Sequence, residues 1–281
     1  MKKAIQIAYN DRFALKCKYA SEAGFKDIAV SFNNILDKSE DEWKRLTEEI
    51  SAVLEENKLG CVQSHLHVYD LMMSSEMPDE RSEFAIRQSI IATSALGGKY
   101  GVYHPLSSIT TGFDVKTSFE DNRRLLSGFL DTAINCGVGI AVENIPIFPD
   151  CPHLKFYTSD YKDLAELTDA FGDEHICVCW DFGHANLMKL DQSEALCYLG
   201  GRVKCVHLHN NFGFHDDHGT PDVGTLDWYS VMPTLKEIGY EGALTLETHC
   251  RYDEPALLKS FARHNYTCLE FLEGLIFKNE S

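Results

Sequence analysis

Histidines and acids stand at the ends of short apolar runs, in one order along the chain. The runs close with Ser64-His65-Leu66-His67, Tyr103-His104-Pro105, Val142-Glu143-Asn144, Trp180-Asp181-Phe182-Gly183-His184, Val206-His207-Leu208-His209 and Leu246-Glu247-Thr248-His249. A carboxylate directly after an apolar run is costly to bury unless it meets a cation or a proton. Glu143, Asp181 and Glu247 all stand in that position. Brought together, three such acids would repel one another strongly without a metal. Convergent His, Asp and Glu, with no Cys among them, point to a divalent metal site.

Bringing them together requires a particular scaffold. Eight strand-then-helix units can be read, with strands at 4–9, 27–32, 61–67, 100–104, 139–144, 176–181, 203–210 and 243–249. Short apolar runs of this kind suit parallel strands buried on both faces. Ser39-Glu40-Asp41-Glu42 predicts a capping box for the second helix, with Trp43, Leu46, Ile50, Val53 and Leu54 on its inner face. Asp79 is the predicted cap of the third helix and Ser118 of the fourth, with Asp121 placed to favour that N-terminus. Gly24, Gly60, Gly137 and Gly239 fall where left-handed C-caps are common. The last helix is expected over 255–277. Strict alternation at this length predicts an α/β fold, a single (β/α)8 TIM barrel spanning 1–281. Strand-end residues then share its C-terminal mouth, beneath the two longer loops, 145–160 and 211–225.

Composition narrows the chemistry. Of 281 residues, 44% are hydrophobic and 25% charged, as in an ordinary globular domain. Asp and Glu outnumber Lys and Arg 43 to 26, and the formal charge of -17 repels phosphate backbones. With no basic cluster, no nucleic-acid partner is expected. No Gly-x-Gly-x-x-Gly follows the first strand, which argues against a dinucleotide site. The N-terminal apolar stretch is too short for a signal-peptide core, and no run approaches the roughly 18 residues that span a bilayer. The ten cysteines are scattered without a C-x-x-C pair, so a cytoplasmic location, reduced thiols and no membrane partner are expected. An oligomer is compatible with all of this.

The barrel pattern, His65, His104, Glu143, the Asp181-Phe182-Gly183-His184 turn, His207, Asp216-Asp217-His218 and Leu246-Glu247-Thr248 together resemble the xylose-isomerase-like TIM-barrel superfamily. That superfamily contains sugar and sugar-phosphate isomerases, ketose 3-epimerases, inosose-type enzymes and the endonuclease IV repair enzymes. The resemblance covers essentially the whole chain. Its specific parts are the Asp-x-x-His turn and the spacing from His207 to Asp216-x-His218. It implies one divalent metal on Glu143, Asp181, His207 and Glu247, zinc or manganese being favoured and cobalt or magnesium possible. For the endonuclease IV branch it implies further metals, with His65, His104, His184, Asp216 and His218 as ligands; in an isomerase these would contact substrate. The chain departs from that branch at Ile145-Pro146-Ile147-Phe148-Pro149, where a small Gly-rich turn is expected, and at Phe182-Gly183. It departs from some ketose epimerases in lacking an extra Glu shortly after Glu143.

The activity implied is isomerisation or epimerisation of a sugar, sugar phosphate or polyol. Glu143 and Glu247 would move a proton through an enediolate, and dehydration of a polyol ketone would use the same parts. The alternative is an endonuclease IV-like zinc phosphodiesterase acting on abasic DNA. His67 and His209, two residues past His65 and His207, would share their direction in regular strands and serve as substrate contacts or alternative ligands. His215 and His249 read as solvated loop residues, Asp227-Trp228 as a helix start, and Arg251 as half of a surface ion pair.

Overall fold

The computed structural model describes residues 1–33, 35–68, 79–107, 114–147 and 156–277. Cys151 and residues 148–155 of the first long loop lie outside that set. Eight parallel strands close in sequence order: β1 (Lys3–Ala8), β2 (Asp27–Ser31), β3 (Gly60–His65), β4 (Tyr100–Tyr103), β5 (Gly139–Glu143), β6 (Ile176–Asp181), β7 (Val203–Leu208) and β8 (Leu244–Leu246). Closure comes from β1, which pairs with β2 on one side and β8 on the other. Helices α1 (Phe13–Ala23), α2 (Glu40–Asn57), α3 (Glu80–Ala95), α4 (Val115–Cys136), α5 (Tyr161–Asp169), α6 (Phe182–Leu187), α7 (Gln192–Leu199), α8 (Trp228–Glu237) and α9 (Pro255–Phe277) follow or cover the strands. The expected barrel is therefore the observed one. Among the described residues, no helix is long and apolar enough to cross a membrane, and the cysteines are free thiols.

Two layers of core hold the strands in place. Outward-facing residues such as Val142, Trp180 and Val206 join the large cluster under the helices. Inside the barrel a smaller cluster of Val102, Ala141, Cys177, Cys179 and Cys205 forms the floor. Side chains alternate along a strand, so the residue two beyond each floor residue also points inward. The pairs Val102/His104, Ala141/Glu143, Cys179/Asp181 and Cys205/His207 follow this rule, and each ends in a residue with chemistry. Register staggers them around the ring: Glu143 pairs with Cys179, two residues before Asp181, Asp181 pairs with His207, and His207 pairs with Thr245, two residues before Glu247.

Several local expectations hold. Ser39 and Glu42 form the reciprocal capping box of α2, Asp79 caps α3, and Asp227 caps α8 with Trp228 buried behind it. Two do not. Asp114, not Ser118, caps α4; Ser118 lies one turn inside and its hydroxyl donates to the Asp114 carbonyl. Gly60 is already the first residue of β3, and Lys58 takes the left-handed C-cap of α2 at φ 54°. Ser39→Ala, which removes the hydroxyl that accepts from the Glu42 N–H and leaves the backbone N–H of residue 39 on the Glu42 carboxylate, is expected to lower stability by about 1 kcal/mol, read as a shift of the urea midpoint at constant slope. An unchanged midpoint would show that the hydroxyl contributes nothing.

Candidate metal centre and active-site mouth

Glu143, Asp181, His207 and Glu247 converge at the C-terminal mouth, with one ligand atom from each lying within 4.8 Å of the others. The His207 Nδ1 sits 2.7 Å from both Glu143 Oε1 and Glu247 Oε2, and 3.9 Å from Asp181 Oδ2. All four residues are buried. One nitrogen carries at most one proton, so it satisfies at most one of two carboxylates at hydrogen-bond distance. The remaining negative charge is buried and needs a cation. This donor set, three carboxylates and one imidazole, fits a divalent metal.

Two further groups flank it. On one side His65 Nε2 and His104 Nε2 lie 3.1 Å apart, and they face the same Glu143 Oε2 at 3.5 Å and 2.8 Å. On the other side Asp216 Oδ2 meets His184 Nε2 at 3.3 Å and His218 Nε2 at 3.1 Å. Three of these histidines are pinned from behind. The Nδ1–H of His65 donates to the Leu66 carbonyl, that of His184 to the Asn144 carbonyl, and that of His218 to the Glu247 carbonyl. A carbonyl only accepts, so each Nδ1 carries its proton and each Nε2 faces a carboxylate. That arrangement is repulsive unless Nε2 is also protonated or binds a metal, and a backbone carbonyl behind the ring is the usual support of a metal-ligating histidine.

The metal-free electrostatics follow from this crowding. Burial would push Glu143 up, but the charge of His207 and the hydrogen bond of His104 hold it well below the ordinary carboxylate value. Burial acts the same way on Glu247, and His207 again reverses it. Burial lowers His207, yet the charges of Glu247 and Glu143 leave it well above its ordinary value. In His218, burial is outweighed by the hydrogen bond and charge of Asp216, and the pKa rises to about 9.

Two residues missing from the proposed site on sequence grounds, Gln6 and Asn144, help build it, as does His209, expected there as a substrate contact or alternative ligand. Gln6, inward-facing on β1, donates to Glu247 Oε1 at 2.6 Å. The Asn144 side chain donates to the Asp181 carbonyl and accepts from its N–H, at 2.9 and 2.7 Å, tying the end of β5 to the end of β6. His209 lies 3.0 Å from Asp181 Oδ1 and stacks on His218. Its position requires Gly183, since a Cβ there would fall 1.9 Å from the His209 ring. Because β3 ends at His65 and β7 at Leu208, the regular-strand premise fails for His67 and His209. The His67 backbone N–H donates to the Ser89 hydroxyl. His249 is exposed as expected, but its ring also stacks on His218 at 4.4 Å. Arg251 makes no ion pair among the described residues; its guanidinium lies over Tyr252.

Beside these four residues, a cavity of about 430 Å³ opens between the mouth and β1, lined by Gln6, Asn33, His104, His218 and Glu247 and by apolar residues of α1 and α9. Its size suits a small-molecule ligand.

The model of the xylose isomerase-like TIM barrel family matches residues 17–265. The D-psicose 3-epimerase of Enterocloster bolteae is 22% identical over 156 residues, covering 54% of this chain and 47% of that protein. The chain spans about half the length of the curated relatives it matches. Among solved structures, 3-keto-D-glucoside 4-epimerase from E. coli superposes with a TM-score of 0.72 at 19% identity, over 97% of this chain and 99% of that one. An AP endonuclease of family 2 from Brucella melitensis gives 0.68 at 19% identity, over 93% and 98%. At such identities these structures carry the fold alone.

The site sets a pH dependence for the metal-free protein. His218, raised from 6.5 to about 9, contributes stability that is full below 6.5 and is lost as pH rises through 9. Glu143 and Glu247, lowered from 4.5, contribute stability that is present above 4.5 and lost on acidification. Urea midpoints of chelator-treated protein should therefore fall between pH 6.5 and 9. Protein with saturating zinc should not show that fall, because the metal replaces the protons. Identical profiles with and without metal would contradict this reading.

Proposed function

The chain belongs to the xylose isomerase-like TIM barrel family, and on that premise we propose that it is a divalent-metal-dependent isomerase or epimerase of a sugar or polyol. The observation that carries this is the pair of carboxylates, Glu143 and Glu247, set about one imidazole nitrogen at 2.7 Å each beside a cavity of small-molecule size. Glu143, Asp181, His207 and Glu247 would hold the metal, zinc or manganese being the favoured ions. When bound, it would supply Lewis-acid polarisation of a substrate carbonyl, which acidifies the adjacent C–H.

The protein's own groups do the proton work. One of the two glutamates takes the C–H proton, and the electron pair passes into the enediolate of the substrate. For epimerisation the opposite glutamate returns a proton to the other face; for isomerisation the proton goes to the neighbouring carbon. Gln6 orients Glu247 through its amide. His104 and His218, on the cavity wall, are placed to bond substrate hydroxyls. Of the described cavity-lining residues, Lys16 alone is a Lys or Arg, and it is paired with Asp253 at 3.1 Å. A neutral sugar therefore fits better than a phosphorylated one. The relative named D-psicose 3-epimerase supports the same chemistry.

A second reading, a metal phosphodiesterase, is favoured by the flanking His65/His104/Glu143 and His184/His209/Asp216/His218 groups, which offer two more metal positions. The charge of -17 opposes it, since DNA must be gripped through its phosphates.

A panel of ketoses in D2O with metal-loaded protein, followed by NMR, tests the proposal. Deuterium should enter the carbon next to the carbonyl. Glu143→Gln and Glu247→Gln should each lower that rate by at least about 100-fold, the lower range of general acid–base contributions. His218→Ala should weaken it and leave one tight metal in place. No exchange with any ketose, together with cleavage of abasic duplex DNA and loss of both a metal and all activity in His218→Ala, would make the phosphodiesterase the better reading.

A further inference from the structure

A second set of metal-ligand side chains lies away from the mouth, where α9 meets the loop between β7 and α8. His264 and Cys268 are four residues apart on α9, which puts them on one helix face. Asp222 of the loop completes the group. His264 Nε2 is 2.9 Å from Asp222 Oδ1, Cys268 Sγ is 3.6 Å from the same oxygen, and Sγ is 3.7 Å from Nε2. The group shares no residue with the mouth.

We propose that Asp222, His264 and Cys268 form a separate site for a divalent transition metal, zinc or cobalt, with three protein ligands and a fourth position open to water. The ligand chemistry, one thiolate, one imidazole and one carboxylate, is that of zinc. Tetrahedral bonds of about 2.3 Å to sulfur and about 2.0–2.2 Å to nitrogen and oxygen space the ligand atoms about 3.3–3.6 Å apart. Both sulfur edges already stand near that spacing. The nitrogen–oxygen edge is a hydrogen bond in the metal-free chain and has to open by a few tenths of an ångström. It can do so cheaply, because the side chains of His264 and Asp222 are 49% and 53% exposed. Cys268, 7% exposed and fixed within α9, is the rigid corner.

Burial and the charge of Asp222 push the Cys268 thiol up to about 12, so the metal-free site keeps its S–H. Binding exchanges that proton, released to solvent, for the metal–sulfur bond. Asp222 lies on the same loop as Asp216 and His218, so a metal here ties the loop that reaches the mouth to the last helix.

The test uses the full chain, stripped with chelator and titrated with cobalt(II). A thiolate-to-cobalt charge-transfer absorption should appear once the mouth is filled, saturate with one further equivalent, and vanish on adding excess zinc. It should be lost in Cys268→Ser and retained in Cys179→Ser, the control for the thiol that lies near Glu143 and His207. Asp222→Asn and His264→Gln change exposed residues and preserve the fold; each should weaken the cobalt affinity read from this band at least tenfold. Zinc should also protect Cys268 from alkylation in the parent chain. Absence of the band in the parent chain, its persistence in Cys268→Ser, or unchanged affinity in both Asp222→Asn and His264→Gln would overturn the proposal.

Discussion

Three carboxylates around one imidazole nitrogen set the terms for the rest of the molecule. Glu143, Asp181 and Glu247 are buried about His207 Nδ1, and a single proton there cannot satisfy them. Buried like charges are among the most costly arrangements a fold can contain, and they persist only where something opposite in sign is supplied. A divalent ion would answer that need and convert the cost into affinity. The histidine groups on either side repeat the theme, since their Nδ1 protons are committed to carbonyls and their Nε2 atoms face acids. The mouth is therefore built for positive charge, which imidazole protons supply in the metal-free chain and a divalent metal would supply in their place.

The scaffold meets this demand through the pleat. A floor of small inward residues, Ala141, Cys179 and Cys205 among them, sits two positions below Glu143, Asp181 and His207. Parallel register sets Asp181 opposite His207, with Glu143 and Glu247 each two residues out of step with the neighbouring strand, and the four still converge at the mouth. The outer face of the same strands contributes Val142, Trp180 and Val206 to the main core. Displacing a strand by one residue would exchange these two sets, so packing of the helices and placement of the ligands are the same constraint. Asn144 and Gln6 refine the placement, one joining two strand ends and the other orienting Glu247 across the β1 side of the mouth.

What was legible in the sequence follows the same physics. An acid directly after an apolar run is conspicuous because burial penalises it, which is why Glu143, Asp181 and Glu247 stood out together with their strands. Strand existence was readable and strand ends were not. The runs at His67 and His209 continue the apolar pattern past the last paired residue, so the pleat no longer tells where those rings point. Gln6 and Asn144 were silent for another reason. Their partners lie 241 and 37 residues away, and an amide within a strand run resembles any hydrogen-bonded core residue until the chain closes on itself. Asp114 was hidden by Ser118, an equally good cap on composition, whose hydroxyl bonds a carbonyl within the helix instead.

On this reading a divalent metal occupies the Glu143, Asp181, His207 and Glu247 set before any flanking group. An anomalous-difference map from crystals grown with one equivalent of zinc or manganese, collected at that metal's absorption edge, tests it most directly. The strongest peak should lie within bonding distance of His207 Nδ1 and of oxygens from all three acids. A map with no peak there, and density instead confined to the His65/His104 or Asp216/His218 groups, would contradict it.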